Sequence, residues 1–394
     1  MPDLSKILTP EERLLLALCR LDFTEKQKSD IRNLMPQVTD WDKFVNLSNE
    51  HGIIALCWYN IAEIGNKDNI PSNFLETLHS GYLKSLARNT KTYTLLEEVL
   101  NLSEDAGIKV VLLKGLALEK TIYGNKGLRQ MNDLDILVRR EDATKLRNIL
   151  LKNDFESEPM ISQLHEKILP TYGKHLPEMY RNGLSVEIHF NLFDKDGRKL
   201  TEKFIEQAKE KLNGREYAFL PSTPMHFLYL LKHLDFHERT GTSQLRLYTD
   251  LVLTYLYNSE IVKNGDLLNL AENAGIEKVL IDKLHILSSF FDLDYGAPAT
   301  EKLIDTEQNK VEEEFIRYLR TPSKESEEDP ESLLKPLSDL PGIYNKGLFI
   351  IGNIFPPLTF MKFRYRTKSK TGAVLYYPVR WAKLIKIIFS GSLK

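Results

Sequence analysis

Cysteine is nearly absent from this chain: Cys19 and Cys57 are the two present in 394 residues. Both lie in apolar, helix-patterned surroundings and read as buried thiols. A disulfide-built scaffold is excluded, and a reducing cytoplasm is the expected compartment. Long apolar runs are missing too. None reaches the roughly 20 residues of a membrane span. The polar stretch 1–6 and the short, acid-flanked run Leu14–Leu18 do not make a secretory signal. Excess charge of either sign is also lacking, since 53 basic residues face 55 acidic ones. Any site for a polyanion must therefore be a local patch, and no RNA-binding module is recognisable.

What is present begins with two acids one residue apart, in Asn132-Asp133-Leu134-Asp135-Ile136-Leu137-Val138. The run has strand alternation, with Leu134, Ile136 and Val138 on one face and both aspartates on the other. Residues i and i+2 of a strand stand about 6.5–7 Å apart, so their carboxylates converge in front of the sheet. Two such carboxylates repel unless a cation joins them. A pair of divalent ions about 3.5–4 Å apart, gripping a triphosphate, is one chemistry that asks for this arrangement. A solvated strand edge is the other reading of the pair taken alone.

Two neighbouring segments bear on that choice. Upstream, Ile108 to Leu113 is an apolar strand that ends at Lys114-Gly115, followed by helical spacing from Leu116 to Tyr123. Gly115 permits close backbone approach, a helix start offers N–H groups to an anion, and Lys114 adds positive charge. Downstream, Leu184 to Phe190 alternates, with Val186, Ile188 and Phe190 on one face and Ser185, Glu187 and His189 on the other. Pairing this strand beside the Asp133/Asp135 strand would gather three carboxylates. Arg181-Asn182-Gly183 is a hairpin turn leading into it, after a strand expected at Leu176 to Tyr180.

The ordered set of Leu-Leu-Lys-Gly at 112–115, Arg129, Asn-Asp-Leu-Asp-Ile at 132–136 and Val-Glu-Ile-His at 186–189 resembles the nucleotidyltransferase superfamily with the DNA polymerase beta-type catalytic fold. More narrowly, it is similar to the bacterial family of uncharacterised nucleotidyltransferases. The superfamily's usual first motif is Gly-Ser or Gly-Gly, and Lys114-Gly115 stands in its place. The resemblance implies an α/β (α+β) fold with a mixed sheet between helical domains. It also implies Mg²⁺, with Mn²⁺ as the substitute, held by Asp133, Asp135 and Glu187. Lys114, Gly115 and Arg129 would face the NTP phosphates, and Arg246 and Asp250 the nucleotide or acceptor. His189 and His233 would contact the acceptor or orient a carboxylate. The expected activity is transfer of an NMP to a hydroxyl or phosphate of a small molecule. Transfer to protein or RNA, or nucleotide binding without catalysis, are the alternatives.

Organisation follows from pattern. Residues 1–96 read as a helical domain, with Thr9-Pro10-Glu11-Glu12 as a helix start. The catalytic core spans 97–195, including a helix from Glu141. A second helical domain, 196–320, is to close the cleft. In it, His233 and His237 share a helix face at a spacing that also suits zinc. Arg246 and Asp250, four apart, also fit a simple helical ion pair. An acidic linker is expected over 321–342. Over 343–394 no acid occurs, while Lys362, Arg364, Arg366, Lys368, Lys370, Arg380, Lys383 and Lys386 accumulate among aromatics. Two readings fit that segment: a helix docked on the body, or a basic amphipathic surface for an anionic membrane.

Overall fold

The computed structural model describes residues 4–391 apart from 66–69, 194–197, 243, 261–265, 294–307, 322–336 and 338–339. Most of the expected acidic linker lies outside the described residues. Seven strands form one mixed sheet: β1 Val110–Leu112, β2 Asp133–Val138, β3 Glu156–Ser157, β4 Met179–Arg181, β5 Leu184–His189, β6 Glu210–Lys211 and β7 Ala218–Leu220. Their order across the sheet is β3-β4-β5-β2-β1-β7-β6. The α/β architecture with helical flanks is therefore the fold.

The central pairings position the acids. β2 runs antiparallel to β1, with Val110 opposite Val138. It runs parallel to β5, with Asp133 opposite Ser185 and Asp135 opposite Glu187. β4 and β5 form a hairpin whose turn residues, Asn182 and Gly183, take φ of 53° and 75°. Two successive positive φ values give the hairpin turn that matches strand twist. The strand expected from Leu176 starts only at Met179. Pro177 has no N–H to donate to a ladder, which shortens it. β6 and β7 were not anticipated within the helical segment. They are two and three residues long, too short to show a period.

Both sheet faces are covered. Leu134, Ile136, Val138, Val186 and Ile188 pack with Leu96, Val99 and Leu100 of the helix Ser72–Asp105 and with Leu146 and Leu150 of the helix Arg140–Lys152. Val111, Leu113 and Leu137 join a larger core on the opposite face. That core contains Leu14 and Phe44 from the N-terminal helices together with Phe227, Leu251 and Phe315 from the later ones. The N-terminal and post-sheet helices thus share one interior, and the 34-residue helix Ser72–Asp105 runs through position 96 into the catalytic sheet. The first long contact is already set at Thr9: its capping box leaves Glu12 buried, where Lys43 and Arg320 pair with it.

The C-terminal segment docks on the body. The helix Gly342–Ile354 packs against the helix Gln163–Tyr172, with Phe349 edge-on to Tyr172 at 5.5 Å. Asn353 Nδ2 donates to His165 Nε2 at 2.9 Å and to Phe349 O at 3.0 Å. Gly352 makes this approach possible, because a Cβ there would lie 2.4 Å from Ser162 Oγ. Arg380 and Trp381 of the helix Tyr377–Gly391 donate to the carbonyls of Asn353 and Ile354. The outer side of this lobe exposes Ile343, Tyr344, Phe355 and Leu375.

Candidate active site

The carboxylates face the side of the sheet covered by the helix Thr223–Arg239. Asp135 is buried, while Asp133 and Glu187 are half-buried at the mouth. Strand alternation sends all three to one side, and the parallel β2–β5 register sets them abreast. Ligand atoms of Asp135, Glu187 and His189 lie within 4.8 Å of one another. His189 Nε2 is 2.9 Å from Asp135 Oδ1 and 3.2 Å from Glu187 Oε2. Lys114 Nζ donates to Asp135 Oδ1 at 2.8 Å and stands 3.9 Å from Glu187.

The electrostatics follow from this crowding. Burial and the neighbouring Asp135 and Glu187 charges push the Asp133 carboxyl up to about 6. Burial opposes ionisation of Asp135, but Lys114 and His189 hold it well below the usual carboxylate range. The same balance, burial against the His189 hydrogen bond, lowers Glu187. Burial works against the His189 cation, yet the hydrogen bonds it donates to Asp135 and Glu187 raise its pKa. An ammonium and an imidazole thus occupy the cation-seeking side of the cluster. Oxygen-rich, acidic and clustered, this donor set fits a hard divalent ion.

Lys114 reaches the acids through an unusual backbone. Its φ is 46°, in the left-handed region, at the start of the helix Lys114–Leu118. That conformation costs a lysine on the order of 1 kcal/mol and is found where function holds it. Gly115 beside it is packed under a side chain: an added Cβ would lie 2.1 Å from Arg129 Nη1.

Arg129 and Asp250 take places that spacing alone did not define. Arg129 is buried at the back of the cleft, with Nε 2.8 Å from Asp250 Oδ1 and Nη2 2.6 Å from Oδ2. Asp250 has no exposed surface, does not line the cleft, and also accepts from Tyr123 OH at 2.9 Å. It fixes Arg129 and is not placed to meet a ligand. The simple Arg246–Asp250 pair is replaced accordingly. Arg246 donates to Gln130 O and to Gln244 Oε1, while its buried Nε has no hydrogen-bond partner. Burial and the nearby Arg129 lower its pKa to about 10.

These side chains line one cleft of about 450 Å³, in which Lys114, Gly115, Arg129, Asp133, Asp135, Glu187, His189, His233 and Arg246 all take part. His233 and His237 are in edge contact, with ring centroids 4.4 Å apart. Burial keeps His233 neutral and holds His237 near 4. Neither belongs to the metal-capable group found among the described residues.

Tyr229 and His175 also line the cleft and were not singled out by sequence. Tyr229 was legible in principle: 229, 233 and 237 repeat every four residues along one helix face. His175 had no such signal. It enters through an isolated bridge to His189, upstream of the start of β4.

Adjacent strands that present Asp-x-Asp and Glu, a lysine-glycine turn at the mouth and a covering helical layer make up a nucleotidyltransferase-type site. The chain belongs to the uncharacterised nucleotidyltransferase family, whose sequence model matches residues 37–292. It is also 21 % identical over 199 residues to the fructose-1,6-bisphosphatase class 3 of Streptococcus gordonii strain Challis. That match takes in 47 % of this chain and 31 % of the bisphosphatase, so the chain spans under a third of that relative's length.

Proposed function

We propose that this protein transfers a nucleoside monophosphate from an NTP to a hydroxyl or phosphate oxygen of a small-molecule acceptor, with Mg²⁺ or Mn²⁺ held by Asp133, Asp135 and Glu187. The observation that carries the reading is the parallel register placing Asp135 directly beside Glu187, two residues along the strand from Asp133. When bound, divalent ions would draw charge from the triphosphate and lower the pKa of the acceptor hydroxyl.

The chain's own groups supply the rest. Lys114 sits among the acids as a cation that can turn to the triphosphate. Arg129, held by Asp250, presents Nη1 at Gly115. Arg246 lines the same cleft and adds a second guanidinium charge on its wall. His189 fixes the Glu187 carboxylate, which is ionised at neutral pH and can accept the acceptor's proton. The acceptor oxygen bonds to the α-phosphorus as the bond to the bridging oxygen breaks. Pyrophosphate leaves with that electron pair.

The test is labelled-NTP turnover with Mg²⁺ across a panel of acceptor fractions. Asp133→Asn and Glu187→Gln should each lose at least about 100-fold in pyrophosphate release, as expected when a group acting on the reacting atoms is removed. NTP bound by wild type with no pyrophosphate released from any fraction would leave a nucleotide-binding protein instead.

A further inference from the structure

A second cavity, of about 560 Å³, lies on the other side of Glu187. Glu187 and His175 line both this cavity and the cleft already described. One wall comes from the sheet edge and the helix Gln163–Tyr172. The other comes from the C-terminal lobe, whose residues fall beyond the 37–292 family match. The cavity therefore opens onto the proposed reaction centre, while eight of its twenty lining residues come from the C-terminal lobe.

Its lining has two characters. Met160, Leu169, Tyr172 and Phe360 make an apolar body. Arg380 and Lys383 put positive charge on the lobe side. Arg380 is held in place: its guanidinium lies 5.2 Å from the Phe360 ring centroid, and it donates to Asn353 O at 2.7 Å. On the sheet side stand Glu158 and Glu178, which share the Tyr180 hydroxyl at 3.0 and 2.6 Å. Those acids repel an anion near Glu187 and favour one at the lobe end.

We propose that this second cavity is the acceptor subsite, and that the acceptor is an amphiphilic small molecule with an apolar body and an anionic group. The anion sits against Arg380 and Lys383, the body against Phe360 and Tyr172, and the nucleophilic oxygen at Glu187. The occupancy of the cavity stands on its lining alone, whereas its role as acceptor site rests on the transferase reading above.

The experiment uses the full chain without nucleotide and titrates it with decyl phosphate, with decyltrimethylammonium and with inorganic phosphate, read by calorimetry. Decyl phosphate should bind one site at least 10-fold more tightly than either control. Met160→Trp, which fills the cavity from the sheet side, and Lys383→Gln, at an exposed position, should each weaken it at least 5-fold. Mg²⁺–ATP affinity in the first cleft should change less than 2-fold in both. Equal binding of the cationic amphiphile, or undiminished binding to Met160→Trp, overturns the proposal. Decyl phosphate binding as expected with no NTP cleavage by any acceptor would remove the transferase reading and keep the amphiphile site. Pyrophosphate release with no amphiphile bound would do the reverse.

Discussion

The Arg129–Asp250 pair gives a direct measure of how the cleft is built. Both residues are buried, joined by two hydrogen bonds, with Tyr123 as a third member. Removing one partner of a buried pair leaves the other charge without compensation, which costs about 3–5 kcal/mol. Asp250→Asn keeps an acceptor for Tyr123 but strips the charge that Arg129 needs. Arg129→Met leaves the buried Asp250 carboxyl with Tyr123 OH in place of the two guanidinium bonds. Each single change should therefore lose at least about 3 kcal/mol in urea unfolding. The double variant removes both charges and replaces the guanidinium with an apolar chain of similar length. It should lose only about 1–2 kcal/mol, a coupling of several kcal/mol in the double-mutant cycle. Because Arg129 also lines the cleft, the double variant should fold yet bind NTP at least about 10-fold more weakly, the loss of one charge-assisted contact. Singles that add in the double, or an Asp250→Asn loss under about 1 kcal/mol, would refute the argument that Asp250 acts through Arg129.

Two further outcomes concern the C-terminal lobe. His165 accepts from Asn353 at Nε2 and has Ser162 at Nδ1, so the docked state needs a neutral ring; burial, aided by Arg380, holds its pKa down at about 4 against an ordinary 6.5. Its contribution is full above pH 6.5 and is lost as pH falls toward 4, because the unfolded chain takes the proton first. About 2 kcal/mol should be gone at pH 5, seen as a wild-type stability difference between pH 7 and 5 that shrinks by that amount in His165→Gln; equal slopes would count against it. The exposed Ile343, Tyr344, Phe355 and Leu375 share the lobe with its basic residues, so vesicles rich in phosphatidylglycerol should sediment the protein at low salt and release it near 0.5 M salt. Equal recovery with and without residues 343–394 would discard a membrane contact through this segment.

The alternation in 132–138 and 184–190 placed each acid on the polar side of its strand, because a strand's period of two leaves no other choice. The helices followed from capping and apolar spacing in the same way, as at Thr9 and Glu141. The resemblance in motif order then supplied the family. Short strands such as β6 and β7 escaped, since two or three residues carry no period.

Other features belong to the tertiary structure alone. That β2 and β5 lie side by side and parallel, bringing Asp135 against Glu187, is decided by packing between residues 52 apart in sequence. That Asp250 serves Arg129, and that Lys114 bends through a left-handed conformation to reach Asp135, depends on burial, which forces every charge to find a partner. The second cavity exists only because the C-terminal lobe docks through Asn353 and His165 onto the helix beside the sheet edge. Local sequence sets which way a side chain points; which side chain it then meets is fixed by the cost of leaving polar groups unpaired in the interior.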